Sequence, residues 1–185
     1  MQRTRRSHRI SMLRISVAVS LIPIVKRKTL RMLIRTALKI VMPMVCLWAE
    51  HQESVIIRDG VALTPNQIAD ARRIGIIAPE RVRLRVVDRI PSPLHPVLRF
   101  GGRKIGLISD DTIGLTLRYG IFIRADHWGE RRLLVHELVH TAQYERLGGF
   151  RPFLEAYLLE CLTPPGYPFG DLELEAKTIE YEISA

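Results

Sequence analysis

Apolar and polar residues follow two different periods in the C-terminal two thirds of the chain. Between positions 81 and 87 they alternate, which is typical of a half-buried β-strand. Two further strand-like runs, 112–117 and 120–124, could pair as neighbours. Apolar residues then recur at helical spacing in three stretches, at 131–146, 150–161 and 171–183. Strands followed by helices predict an α+β domain in which a small, mostly antiparallel sheet packs on helices.

Local signals indicate where three helix boundaries lie. Thr64 offers a capping hydroxyl and Pro65 suits the first helical position, so a helix should begin there. We expect it to run to about Arg73, because Gly75 is suited to a helix end. Asp171 is a suitable cap for the last helix.

The first 49 residues differ from the rest of the chain in charge. They contain eleven Lys and Arg residues and no Asp or Glu, whereas residues 50–185 contain 17 basic and 19 acidic residues. The formal net charge of +9 therefore comes from the N-terminal segment. A nucleic-acid-binding domain carries its positive charge on a folded face. We therefore expect residues 50–185 to form the folded domain, with no nucleic-acid partner.

Residues 1–49 allow several interpretations. Their apolar runs, 15–25 and 40–49, are both shorter than the ~20 residues of a spanning helix. Basic residues before a short apolar run suggest a secretory signal, although the first run ends in a basic triplet rather than a cleavage site. The segment could instead lie on an anionic membrane surface. A translation start at Met12, Met32 or Met42 would shorten it. The chain is thus expected to be membrane-associated or exported through this segment, or otherwise cytoplasmic.

The stretch 131–146 carries residues suited to a zinc site. It contains the motif HELVH, formed by residues 136–140. Residues four apart on a helix lie on the same face, so His136 and His140 can bind one Zn²⁺ at ~2.0–2.1 Å. Glu137 is turned by about 100° from His136 and points beside the metal. It can therefore act as the general base for a water molecule that the metal activates.

This helix resembles the active-site helix of the zincin metallopeptidases. The resemblance covers residues 112–183 and implies a zincin-like fold with zinc-dependent hydrolysis of peptide bonds. In the metzincin branch the motif continues with a glycine and a third histidine, but here Gln143 and Arg146 occupy those positions. No histidine follows His140. The third ligand should then be a carboxylate, as in the gluzincin branch. The chain is also similar to small bacterial HExxH proteins.

Several acidic residues after the motif are candidates for this third ligand. Glu145 lies on the motif helix and faces the wrong way. Glu155 and Glu160 lie outside the apolar stripe of the next helix, so both are expected to be in solvent. Glu173 and Glu175 flank the apolar stripe of the last helix on opposite sides. Periodicity alone does not choose between these two.

The resemblance to gluzincins favours Glu173. That branch carries its ligand in an ExxS/A-D type of pattern, which Glu173-Leu174-Glu175-Ala176 matches. Lys177 occupies a position where the family commonly has an aspartate that orients a metal-bound histidine. Asp171 or Glu180 could take that role instead.

The resulting expectation is a zinc peptidase with a peptide or protein substrate. Glu137 would be the catalytic base, and the Tyr167 hydroxyl could stabilise an oxyanion. The strand predicted at 120–123 would be an edge strand that holds the peptide by β-augmentation. The alternative is a domain that keeps the fold and the metal but only binds, as a membrane-tethered adaptor or sensor.

Overall fold

The computed structural model describes residues 24–93 and 109–185, so the basic N-terminus and most of the apolar run at 15–25 lie outside the described residues. Within the described ranges the chain forms an α+β domain with five α-helices and a four-stranded sheet. The helices are α1 (Ile24–Asp59), α2 (Pro65–Ile74), α3 (Arg131–Leu147), α4 (Phe150–Leu162) and α5 (Asp171–Ser184). The strands are β1 (Val61–Ala62), β2 (Arg83–Val87), β3 (Gly114–Leu117) and β4 (Gly120–Arg124).

The sheet is mixed, with its strands in the order β1-β2-β4-β3. The β1–β2 and β3–β4 pairs are antiparallel, and β2 runs parallel to β4. The predicted α+β class is therefore confirmed, and so is the pairing of the runs at 112–117 and 120–124. The prediction of an edge strand at 120–123 is wrong, because β4 lies between β2 and β3. Among the described strands, β3 forms the edge that packs against α3.

The predicted helix boundaries agree with the structure at most positions. Thr64 forms a capping box with Gln67 at the start of α2, and Gly75 ends that helix in the left-handed conformation. The prediction that Asp171 caps the last helix is wrong. Gly170 is the residue before α5, and Asp171 is its first helical residue. The carboxylate of Glu160 takes the capping role instead, because it accepts a hydrogen bond from the Leu172 backbone nitrogen at 3.0 Å.

The sheet separates two hydrophobic clusters, and alternate residues of β4 contribute to each. Ile121 and Ile123 pack into a cluster with α2 and α3, while Phe122 packs into a cluster with α1 and α4. The helix α3 spans both, since Leu138 belongs to the first cluster and Tyr144 to the second. The position of α3 is therefore fixed from both sides of its axis, which leaves little freedom in where its polar residues point.

Helix α1 crosses the boundary expected between residues 49 and 50. Leu38, Met42 and Ala49 precede that boundary and pack into the same cluster as Ile56, which follows it. The end of α1 is also tied to the turn between β3 and β4. Both Glu53 carboxylate oxygens accept hydrogen bonds from the Arg118 guanidinium, at 2.9 and 2.6 Å. The described residues before position 50 thus form part of the domain core.

We expect Met42→Ala to lower the free energy of unfolding by about 2–5 kcal/mol, because Met42 is fully buried and its loss leaves a cavity. The control is Ile40→Ala two residues earlier, where the side chain is 75% exposed and the change should stay within about 0.5 kcal/mol. Denaturant titration measures both. Equal, small effects would mean that this part of α1 does not belong to the cooperative core.

Candidate metal centre

The helix α3 carries His136, Glu137 and His140 on neighbouring parts of its surface. His140 and Glu137 are buried, and His136 is nearly so. The two imidazole ring centroids lie 5.0 Å apart with their planes almost perpendicular. The i, i+4 spacing therefore brings both histidines to one place, as the motif predicts.

Helix α5 brings a carboxylate to these two imidazoles. The Nε2 atom of His136 lies 3.6 Å from Oε2 of Glu173, and Nε2 of His140 lies 3.4 Å from Oε1. One ligand atom from each of the three residues lies within 4.8 Å of the others. Three donors at ~2.1 Å from one tetrahedral ion lie roughly 3.3–3.5 Å apart. The donor set is thus of the right type and close to the right spacing to hold Zn²⁺.

The electrostatics of Glu173 fit a carboxylate that faces positive charge. Burial on its own would raise the pKa of Glu173, but hydrogen bonding and charge from His140, the Tyr157 hydroxyl and the charge of His136 lower it to about 2. Burial likewise disfavours the charged form of His140, yet Glu173 and Glu137 outweigh this effect and raise the pKa of His140. A buried carboxylate needs a cationic partner. A divalent cation between these donors would supply one.

Each imidazole faces Glu173 through Nε2, and a second polar contact holds its Nδ1 atom. Nδ1 of His140 lies 2.8 Å from Oε1 of Gln143, and Nδ1 of His136 lies 3.3 Å from Oε2 of Glu180. Arg132 in turn donates to Glu180 at 3.1 Å. An acceptor at Nδ1 keeps the proton on that nitrogen and leaves the Nε2 lone pair free for a metal.

Of the two residues considered for orienting a histidine, Glu180 is the one that contacts His136. Asp171 is exposed at the start of α5. Lys177, which stands where the family commonly has an aspartate, donates to the Pro168 carbonyl at 3.0 Å. The carboxylate that contacts His136 therefore lies one turn further along α5 than the position of Lys177.

The remaining acidic candidates have other partners. Glu175 accepts hydrogen bonds from Arg146 at 2.5 and 2.7 Å and from Gln143 at 3.0 Å, so it does not join the three donors. Glu145 accepts from the Ile77 and Ala78 backbone nitrogens and from the Tyr119 hydroxyl, facing away from the site as predicted. Glu155 pairs with Arg151 on the surface of α4. The prediction of a solvated Glu160 is wrong, because this residue is half-buried and caps α5.

The carboxylate of Glu137 is held against the edge strand β3. The Thr116 hydroxyl lies 2.6 Å from Oε2 of Glu137. The glycine at 114 permits this approach, because a Cβ there would overlap Oε1. Thr116 and Gly114 thus fix the direction in which the Glu137 carboxylate points.

A cavity of about 300 Å³ opens beside these residues. His136, Glu137, His140 and Glu173 line one part of it, and the rest of its wall is mainly apolar. The apolar wall comes from α1, β3 and α4, and it includes Leu38, Val41, Val45, Trp48, Leu115, Phe153, Leu154 and Leu158. The candidate metal site therefore lies at the wall of a cavity large enough for a large apolar side chain.

Tyr167, the predicted oxyanion donor, also lines this cavity. Its side chain is partly exposed, and burial together with the charges of Glu173 and Glu137 raises its pKa to about 12. Tyr157 is a second tyrosine on the cavity wall, and its hydroxyl donates a short hydrogen bond to Glu173. The hydroxyl of Tyr167 would remain protonated at neutral pH and could act as a donor.

Three residues of the site are not predicted from the sequence. Tyr157 belongs to the buried stripe of α4. Its hydroxyl is the one feature of the sequence that indicates a polar contact there, since a buried hydroxyl requires a polar partner. Thr116 and Gly114 lie in a short strand-like run and contact Glu137 only because β3 packs across α3. No spacing in the sequence indicates that contact.

No protein-family model matches the chain, and neither a curated protein nor a solved structure shows significant similarity to it.

We expect Glu173→Gln to weaken zinc binding by more than about 100-fold, because it removes a negative donor while keeping the side-chain shape. Glu175→Gln two residues away is the matched control, since its carboxylate pairs with Arg146 instead. A competition titration with a zinc-sensitive dye, combined with metal analysis, measures both. The opposite ranking would assign the third ligand to Glu175.

We expect Glu180→Gln to weaken zinc binding by about 10–100-fold, through loss of the charged acceptor near Nδ1 of His136. Glu182→Gln, on an exposed part of the same helix, should have no effect. The same titration separates the two variants. A wild-type affinity in Glu180→Gln would show that this carboxylate does not position His136.

Proposed function

We propose that this protein is a zinc-dependent peptidase of the gluzincin-like type. The observation that carries the proposal is the approach of His136, His140 and Glu173 to one another beside Glu137. Two imidazoles, a carboxylate ligand and an adjacent glutamate are the donor set and the base that metal-assisted hydrolysis requires.

His136, His140 and Glu173 would hold the ion. Bound Zn²⁺ supplies a Lewis acid that polarises a carbonyl and makes water acidic near neutral pH. Glu137 provides the base, and the Thr116 hydroxyl holds its Oε2. The same carboxylate can then pass the proton to the leaving amine. Because Thr116 fixes the direction of the Glu137 carboxylate, the proton would be transferred over a short distance.

The edge strand β3 and the cavity support a peptide substrate. A peptide that adds to β3 as a further strand would pass Gly114 and Thr116, which lie beside Glu137. Alternate side chains of an extended peptide point to one face. One of them could enter the apolar cavity, so the proposal includes a preference for a large apolar residue beside the cleaved bond.

Tyr167 is the proposed donor to the carbonyl oxygen as negative charge develops on it. Its position on the cavity wall and its raised pKa support this role, because the hydroxyl keeps its proton. Tyr157 already donates to Glu173 and is proposed to hold that carboxylate in place.

We expect Glu137→Gln to retain zinc and to lose peptide cleavage by about 10²–10⁴-fold, since general-base catalysis contributes about that much. Cleavage of a fluorogenic peptide library with apolar residues at successive positions measures activity, and metal analysis measures zinc. Glu155→Gln, a surface change on α4, should match the wild type in both measurements.

Two results would count against the proposal. Equal cleavage by wild type and Glu137→Gln would remove Glu137 from the reaction. Bound zinc with no cleavage of any library member by the wild type would favour the alternative, a zinc-binding adaptor or sensor domain.

A further inference from the structure

Gln143 lies on α3 three residues after His140, and its side chain is fully buried. Its amide carries two different groups, a carbonyl oxygen that accepts hydrogen bonds and an NH₂ group that donates them. Oε1 lies 2.8 Å from Nδ1 of His140, while Nε2 donates to the Leu172 carbonyl at 2.9 Å and to the Glu175 carboxylate at 3.0 Å. These three contacts connect a candidate metal ligand on α3 with the first turns of α5.

The partners on α5 determine which way round the amide of Gln143 sits. The Leu172 carbonyl can only accept a hydrogen bond, and so can a charged Glu175 carboxylate. Rotating the amide by 180° would set its oxygen against both acceptors and lose both hydrogen bonds inside the protein. The NH₂ group therefore faces α5, and the oxygen faces His140. Since that oxygen cannot donate, the proton between it and the imidazole belongs to Nδ1 of His140.

The partner of His136 needs no such orientation. Nδ1 of His136 faces Glu180 at 3.3 Å, and both oxygens of a carboxylate accept hydrogen bonds. An amide is an acceptor at one end only, so on α3 alone either end of the Gln143 side chain could face His140. Packing of α5 removes this choice. The helix α5 thus contributes to the site twice, through the Glu173 carboxylate and through the orientation of Gln143.

We propose that Gln143 is a positioning residue for the candidate metal centre. Held by the Leu172 carbonyl, its amide oxygen fixes the His140 ring with Nδ1 protonated and with Nε2 directed at the ion. This inference rests on metal binding, which is part of the proposed function, and does not depend on peptide cleavage. It requires an acceptor at position 143 that faces His140, so a side chain that only fills the same space does not suffice.

The test compares three variants of the full chain. Gln143→Met keeps a side chain of similar length but removes the amide oxygen. The double variant Gln143→Glu/Glu175→Gln exchanges the acid and the amide, so an oxygen still faces His140 and a donor on α5 still faces position 143. Thr141→Val is the control, because Thr141 is fully buried on the same helix and its hydroxyl donates to the Arg118 carbonyl at 2.8 Å, away from the candidate ligands.

Two measurements report on the site. Competition with a zinc-sensitive dye gives the zinc affinity. NMR of protein labelled with ¹⁵N in its histidines and saturated with zinc detects the Nδ1 protons of His136 and His140. The His136 signal serves as an internal reference, because its partner is Glu180. Thermal unfolding shows whether each variant folds.

We expect Gln143→Met to bind zinc about 10–100-fold more weakly than the wild type. Its His140 Nδ1 proton should move upfield, because the acceptor is lost, while the His136 signal stays in place. The exchange variant and Thr141→Val should keep an affinity close to that of the wild type, with the His140 proton still hydrogen-bonded.

Wild-type affinity in Gln143→Met would overturn the proposal, and so would an equal loss in the exchange variant or in Thr141→Val. If Gln143→Met does not fold, the exchange variant decides: a His140 signal at the wild-type position supports the proposal, and loss of that signal overturns it. Zinc binding without cleavage by the wild type would count against the proposed function alone, since neither measurement needs cleavage. No zinc binding by the wild type would overturn both.

Discussion

A buried carboxylate between two imidazoles is the constraint on which the site depends. Glu173 is enclosed by His136, His140 and Tyr157, and a carboxylate in such surroundings is stable only when donors or cations surround it. This requirement determines how α3 and α5 pack. Gln143 reinforces the arrangement, because it contacts His140 through its oxygen and the Leu172 carbonyl through its nitrogen. The candidate metal donors and the contact between the helices are therefore the same set of interactions.

The fold presents this pair of helices to a cavity with the help of elements far away in sequence. The edge strand β3 holds the Glu137 carboxylate through Thr116, and α1 and α4 supply the apolar wall. A small domain gains a cavity of about 300 Å³ in this way, because α1 covers a face of the sheet that would otherwise be open to solvent. The long first helix is thus part of both the core and the candidate site.

The sequence predicts the elements that carry local signals and misses those that depend on tertiary contacts. The HELVH helix, the pairing of β3 and β4 and the helix start at Thr64 all follow from residue spacing and cap chemistry. Helix α1 is less apparent because Arg35 and Lys39 interrupt its apolar runs, and its charge suggests a separate leader. In the structure those basic residues lie on exposed positions, while Leu38 and Met42 face the core. Charge composition describes the solvent side of a helix and says little about its buried side.

The choice between Glu173 and Glu175 shows the same limit at the level of one side chain. Both flank the buried stripe of α5, so only the rotation of α5 against α3 decides which one faces the histidines. The structure brings Glu173 to them and pairs Glu175 with Arg146. The position of Glu180 likewise depends on that rotation, since this carboxylate, two turns along the helix from Glu173, reaches His136 from the other side.

The modest apolar anchoring of α5 has a consequence for how an ion would enter and leave. Only Leu172, Glu173 and Ala176 of this helix are buried, and its links to α3 include polar contacts of Arg131, Arg132, Gln143 and Arg146. Segments with few buried apolar contacts open at a free-energy cost below that of global unfolding. Detachment of α5 would carry Glu173 away and leave the two histidines on an intact helix. Metal exchange could therefore proceed by release of the C-terminal helix, with its rate set by local opening rather than by unfolding of the domain.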